Sequence, residues 1–179
     1  LSLHDALPIY FYDLNAKLNF DIDSKNKIFL SAYVGMDVNK LSDLLTANWG
    51  NITATARWNH LFSGKLFSNL TLIHSKYNYL LRQMVSVPHE DWNSQINVSG
   101  LKYDFSFFNS PASTLRFGLQ SMYQYILPAE ITTNGKEISL VVSAKRNLEH
   151  ALYLQQELKV GDKLNINWGL RGTLFQNIG

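Results

Sequence analysis

Five histidines, His4, His60, His74, His89 and His150, are the first residues to test for chemistry, and none stands at a metal-ligand spacing from another. The one tight cluster, His89-Glu90-Asp91, carries three metal-capable side chains in a polar segment, where such a run is more often solvated than ligating. Asp104 and Glu157 could share general acid–base work. Both fall on polar faces with Arg116 and Arg171, and the expectation is that they pair with those cations. The absence of cysteine excludes a disulfide framework and a thiolate metal site. There is no Gly-rich phosphate loop and no Gly-x-Ser-x-Gly elbow. The expectation is therefore no catalysis, no cofactor and no metal.

The elements that carry these residues are read from alternation. From Tyr12 to Ile22 every even position is apolar and every odd one is charged or an amide. A strand's side chains alternate with a period of two, so this stretch has one greasy and one wet face. The pattern recurs eight times, near residues 10–22, 28–37, 51–59, 66–79, 96–107, 115–125, 152–159 and 164–174. The fourth stretch is the weakest, because Ser68 and His74 share a face with Leu66, Leu70 and Leu72. In the fifth, Ile96 and Val98 are even while Leu101, Tyr103, Phe105 and Phe107 are odd, which predicts a bulge near Ser99-Gly100.

Tight polar turns follow the odd-numbered stretches at Asp23-Ser24-Lys25-Asn26, Ser63-Gly64-Lys65, Asn109 to Ser113 and Gly161-Asp162. Long polar connections follow the even-numbered ones, at 38–48, 80–92 and 128–146, although Ile138 to Val142 could extend a strand. Short turns on one side and long loops on the other are how a transmembrane β-barrel is written. An Arg or Lys against the bilayer midplane costs about 2–4 kcal/mol. Lys17, Arg57, Lys102, Arg116 and Arg171 all sit on the wet faces, so lipid must take the apolar face and the lumen the polar one. Tyr12, Trp58, Tyr123 and Tyr125 would form interfacial girdles. The alternative is a soluble barrel or sandwich packing its apolar face inward.

Composition agrees. The 179 residues are 46% apolar, 17% charged and 13% aromatic, with a net charge of +2, which suggests no nucleic-acid partner. No run of apolar residues is long enough for a membrane-spanning helix.

Three stretches carry a family resemblance. Leu101-Lys102-Tyr103-Asp104-Phe105-Ser106-Phe107 precedes a turn and Leu115-Arg116-Phe117-Gly118; Ala151 to Leu158 precedes Lys163 to Arg171; and upstream lies Trp49 to Phe62. Together they resemble TonB-dependent outer-membrane receptors of Bacteroidota. The resemblance implies an all-β, antiparallel up-and-down transmembrane barrel of which this chain supplies about eight of 22 strands. It further implies a plug domain in the lumen, contact with the TonB complex through a part of the protein not present here, and a place in the bacterial outer membrane. Cargo would be a scarce nutrient: an iron chelate, cobalamin, a glycan or a peptide. The three long connections would supply part of the binding surface, and a surface lipoprotein is a further expected partner. The runner-up is a complete eight-stranded barrel with a structural or adhesive role, in which the first strand would bond to the last.

Residues 1–9, Leu1-Ser2-Leu3-His4-Asp5-Ala6-Leu7-Pro8-Ile9, are what CTT TCC CTA CAC GAC GCT CTT CCG ATC encodes, and that string resembles a translated short-read sequencing adapter. They are expected to be non-native, leaving residues 10–179 as a partial barrel domain.

Overall fold

The computed structural model describes residues 9–84, 89–133 and 137–179, and the side chains of residues 137–139 lie outside that description. Nine strands follow one another: β1 (Ile9–Asp21), β2 (Asn26–Ser42), β3 (Leu45–Ser63), β4 (Leu66–Gln83), β5 (Glu90–Ser110), β6 (Ser113–Thr133), β7 (Glu137–Val142), β8 (Lys145–Val160) and β9 (Leu164–Asn177). All pairs are antiparallel, each strand beside its sequence neighbour, except that β6 pairs with both β7 and β8. Among the described residues there is no helix and no pairing between β1 and β9.

The extra strand has a simple origin. Ala129–Val142 and Ile126–Lys145 are partners in the same register, so β7 and β8 lie along β6 as one interrupted strand. The interruption falls opposite Pro128, which has no N–H to donate to a ladder. Residues 138–142 thus extend a strand, as the alternation suggested.

Each expected short turn forms. Asp23 Oδ1 accepts the backbone N–H of Lys25 (2.7 Å) and Asn26 (2.8 Å), closing the first. Ser63 Oγ accepts from Lys65 and Leu66, and Ser110 Oγ from Ala112. The last turn passes through Gly161 at φ +62°, a left-handed conformation that L side chains rarely adopt. Gly161→Val should therefore destabilise the β8–β9 hairpin by about 1–2 kcal/mol, measurable as lowered hydrogen-exchange protection of Val160 and Leu164.

Two expectations are corrected. The connections at 38–48, 80–92 and 128–146 are mostly not loops. β2 and β3 continue to a two-residue turn at Asp43-Leu44, β4 runs to Gln83, β5 starts at Glu90, and β6 runs to Thr133. They are paired ribbons in which polar and apolar residues no longer alternate strictly, while the ladder continues. Residues 85–88 lie outside the described residues.

There is also no bulge at Ser99-Gly100. β4 and β5 pair without a break from Leu66–Phe107 to Gln83–Glu90. Gly100 answers a close approach instead: a Cβ there would sit 2.3 Å from Met122 Sδ and 2.6 Å from the Ser121 carbonyl. The β5 irregularity lies higher, where Asn93 to Gln95 faces Leu127 to Glu130 and Pro128 falls in the bulge. Ser94 Oγ donates to the Pro128 carbonyl at 2.6 Å.

Register gives the strand tilt. The pairing row through Leu18 runs across Leu30, Ala56, Leu72, Leu101, Ser121 and His150 to Leu174. On β1 the apolar residues of that face reach up past this row to Tyr12. On β9 Leu174 is the topmost, and the others descend to Leu164. The apolar band thus slips by about one residue per strand. With roughly 3.4 Å per residue and 4.8 Å between strands, that slip means a tilt near 35°, which is the tilt of membrane barrels.

Nothing in the described structure covers the apolar face. Among the described residues strands touch only their ladder neighbours, and the buried apolar residues are Ala47, Ile131 and Ala151. Leu152 is 67% exposed and Leu170 71%. A soluble sandwich requires a second layer on those leucines, and the described residues form a single sheet.

Candidate functional site

The polar face is continuous because cross-strand partners share a face. On β5 it carries Lys102 and Asp104, on β6 Arg116 and Gln120, on β8 Tyr153, Gln155 and Glu157, and on β9 Asn167 and Arg171. These charges neutralise one another. Lys102 Nζ lies 3.1 Å from Asp104 Oδ2, and the Tyr153 hydroxyl donates to Asp104 Oδ1. Gly118, between Asp104 and Tyr153 in the ladder, makes this contact possible: a Cβ would sit 2.8 Å from the Tyr153 ring.

Arg116 pairs with Glu157 as expected, while Arg171 approaches Glu149 at 3.9 Å. Asp104 thus takes Lys102 and Tyr153 in place of either arginine. The two carboxylates are held apart on different ion pairs, so they form no acid–base couple. A row of pairs like this braces a polar wall.

Nearer the ribbon ends of β1–β5 the same face changes character. Tyr33, Trp49, Tyr77 and Tyr79 come together there with Asn51, Thr53 and Ser75. Thr53 Oγ1 lies 3.1 Å from Ser75 Oγ, and Ser31 Oγ lies 2.6 Å from Thr55 Oγ1. Trp49 lies between the connection read at 38–48 and the strand read at 51–59, and Tyr79 ends the stretch read at 66–79, so the sequence reading gives neither a face. Carrying the period of two across those segments would have found them.

The histidines do not converge. His60 Nδ1 sits 2.7 Å from Asn26 Oδ1, His74 Nδ1 sits 2.8 Å from Ser99 Oγ, and His150 lies on β8. His4 is outside the described residues. Of His89-Glu90-Asp91 only Glu90 and Asp91 belong to β5, where consecutive residues point to opposite faces. Asp91 is engaged by Arg82 in a two-pronged pair, Nε–Oδ1 2.7 Å and Nη2–Oδ2 2.8 Å. Among the described residues no group of three could hold a metal ion.

The Arg82–Asp91 clamp ties the tops of β4 and β5 beyond the apolar band. Its hydrogen bonds hold the Asp91 carboxyl below the usual range. The stabilisation is therefore present above an ordinary carboxyl pKa of about 3.9 and is lost as pH falls through the lower, folded value. Arg82→Ala leaves the Asp91 carboxylate, 4% exposed, without its cation. Local opening there should become easier by about 1–3 kcal/mol at neutral pH, seen as faster amide exchange at residues 80–83 and 90–93.

No family model and no curated protein sequence matches the chain. Solved structures do. The ferric preacinetobactin receptor BauA from Acinetobacter baumannii superposes with a TM-score of 0.67 at 12% identity, covering 93% of this chain and 34% of the receptor. The ferric citrate transporter FecA in its unliganded form gives 0.65 at 14% identity, covering 96% and 31%. The described residues share with a stretch of these two proteins an antiparallel, up-and-down β-sheet fold. The chain spans about a third of each of these proteins.

Proposed function

We propose that this chain is part of the barrel of a TonB-dependent outer-membrane receptor for active uptake of a scarce nutrient. The carrying observation is the separation of faces. Five cations, Lys17, Arg57, Lys102, Arg116 and Arg171, project from one side of a tilted single-layer sheet, and a predominantly apolar band occupies the other. Such a sheet is suited to lipid outside and a wide aqueous lumen inside.

A plug domain of the same protein would fill that lumen. The plug in turn would couple to TonB, which draws on energy from across the periplasm. Iron chelates lead the cargo classes, because the two structural neighbours are named for ferric complexes. Cobalamin, glycans and peptides complete the set. The aromatic and amide residues around Tyr33, Trp49 and Tyr77 are where cargo would first meet the wall. Nothing in the sheet favours a closed eight-stranded barrel, since β1 and β9 are not partners.

The test is uptake by cells producing the full-length protein that carries this sequence, offered labelled ferric chelates, cobalamin and oligosaccharides. One class should accumulate, and accumulation should stop on loss of TonB or collapse of the proton gradient. Passive entry unaffected by either would overturn the reading.

A further inference from the structure

In the upper part of the outer face polar residues are grouped across β4 to β8. On β4, His74 and Lys76 stand above Leu72; on β5, Ser99 and Asn97 stand above Leu101. The ladder sets Lys76, Asn97, Tyr125 and Arg146 in one row and His74, Ser99 and Tyr123 in the row beneath. The upper edge of the apolar band can be drawn from Tyr12 on β1 through Ile52 on β3 to Leu174 on β9. It passes at or above His74, Ser99, Ser121 and His150, so these four lie within the height of the band. Lys76 sits at its rim and Arg146 above it.

Polar side chains on a lipid-facing wall are costly unless something there receives them. Here the sign of the charge is uniform. The rows hold a lysine, an arginine and one histidine, with His150 in the row below, and no carboxylate. Among the described residues no ion pair engages Lys76 or Arg146. The Arg146 guanidinium lies over the Tyr125 ring, 5.6 Å from its centroid, which fixes its place without neutralising it.

Beside His74 the wall has a groove of about 420 Å³, lined by Ala16, Ala32, Ala54, Ala56 and Leu72 and ending at the histidine. An apolar groove running up to a cationic patch matches a molecule with a hydrocarbon chain and an anionic head.

We propose that this patch seats a phosphorylated lipid of the outer leaflet, with one acyl chain in the alanine groove and phosphate at the cations. Lys76 and Arg146 are three strands apart, about 14 Å at the usual strand spacing. A single phosphate cannot bridge that gap. A sugar headgroup phosphorylated at both ends can, with Asn97 and the Tyr123 and Tyr125 hydroxyls beneath the sugar. This inference rests on the barrel reading above, because it needs this face to meet lipid.

The test uses the full-length protein in phosphatidylethanolamine bilayer discs containing bis-phosphorylated, mono-phosphorylated or phosphate-free lipid A, with native mass spectrometry counting the lipid retained. The bis-phosphorylated form should be retained best. Lys76→Gln with Arg146→Gln should weaken retention by roughly tenfold or more, while heat-modifiable gel migration stays normal. Lys76→Arg with Arg146→Lys should restore retention. Equal retention of the phosphate-free lipid, undiminished retention by the glutamine variant, or a lipid-free pair of protein copies joined through this face would each overturn the proposal. If the unaltered protein gives no heat-modifiable, membrane-inserted species, the barrel reading itself fails; insertion without phosphate dependence removes the lipid seat alone.

Discussion

Leu152→Arg should cost the inserted barrel about 2–4 kcal/mol, the penalty for a cation on a lipid-facing strand near the bilayer midplane. Leu152 is 67% exposed and lies between Leu119 and Gly172 in the ladder, inside the apolar band. The side chain has no protein cover to lose, so the cost comes almost entirely from placing a guanidinium in hydrocarbon. The matching substitution on the opposite face, Asn69→Arg, puts the same charge beside Asp104. It should change stability by no more than about 1 kcal/mol. Urea unfolding of the full-length protein from phosphatidylcholine vesicles measures both. Equal effects at the two positions, or none at Leu152, would mean that the apolar face does not touch lipid.

Residues 1–179 produced alone should neither insert into vesicles nor show heat-modifiable migration. The sheet leaves the outer edges of β1 and β9 unpaired, and β1 is exposed along its whole length. In water those backbone groups are solvated. In hydrocarbon each unsatisfied group costs several kcal/mol, and an edge of more than ten residues cannot be offset by side-chain transfer. Supplying the remaining wall as a separate polypeptide should restore insertion if the edges are the obstacle. A protease-resistant, vesicle-embedded band from this stretch by itself would show that the edges find partners some other way.

Much of this was readable from residues. Alternation from Tyr12 to Ile22 and from Leu164 to Leu174 marks strands flanked by lipid and water, where the two environments differ most. The short turns were equally plain, because Asp23, Ser63 and Ser110 use side-chain oxygens to close them. Two features were not readable. Where polar and apolar residues no longer alternate strictly, residues 38–42, 45–48 and 80–83 lose their period and pass for loops. On β5 the character of the faces exchanges: Gln95, Asn97 and Ser99 point outward, Ser99 still within the height of the apolar band, while Ile96 and Val98 point inward. A single sequence shows that exchange as a phase slip, and the bulge assigned to it was the wrong remedy.

The site was half legible. The pair of Arg116 with Glu157 follows from faces alone. Asp104 taking Lys102 and Tyr153 depends on the register of β5 against β6 and β8, which the residues do not announce. The outward group of Lys76 and Arg146 needed register too, since 70 positions separate them in the chain.

Pro128 sits where two seams meet. On one flank β6 is out of step with β5, and on the other its partner strand is broken between β7 and β8. Backbone bonding is thinned on both sides at one height, which creases the wall. Above the crease the end of β6 pairs with β5 on one side and β7 on the other, so the wall changes register there without losing continuity.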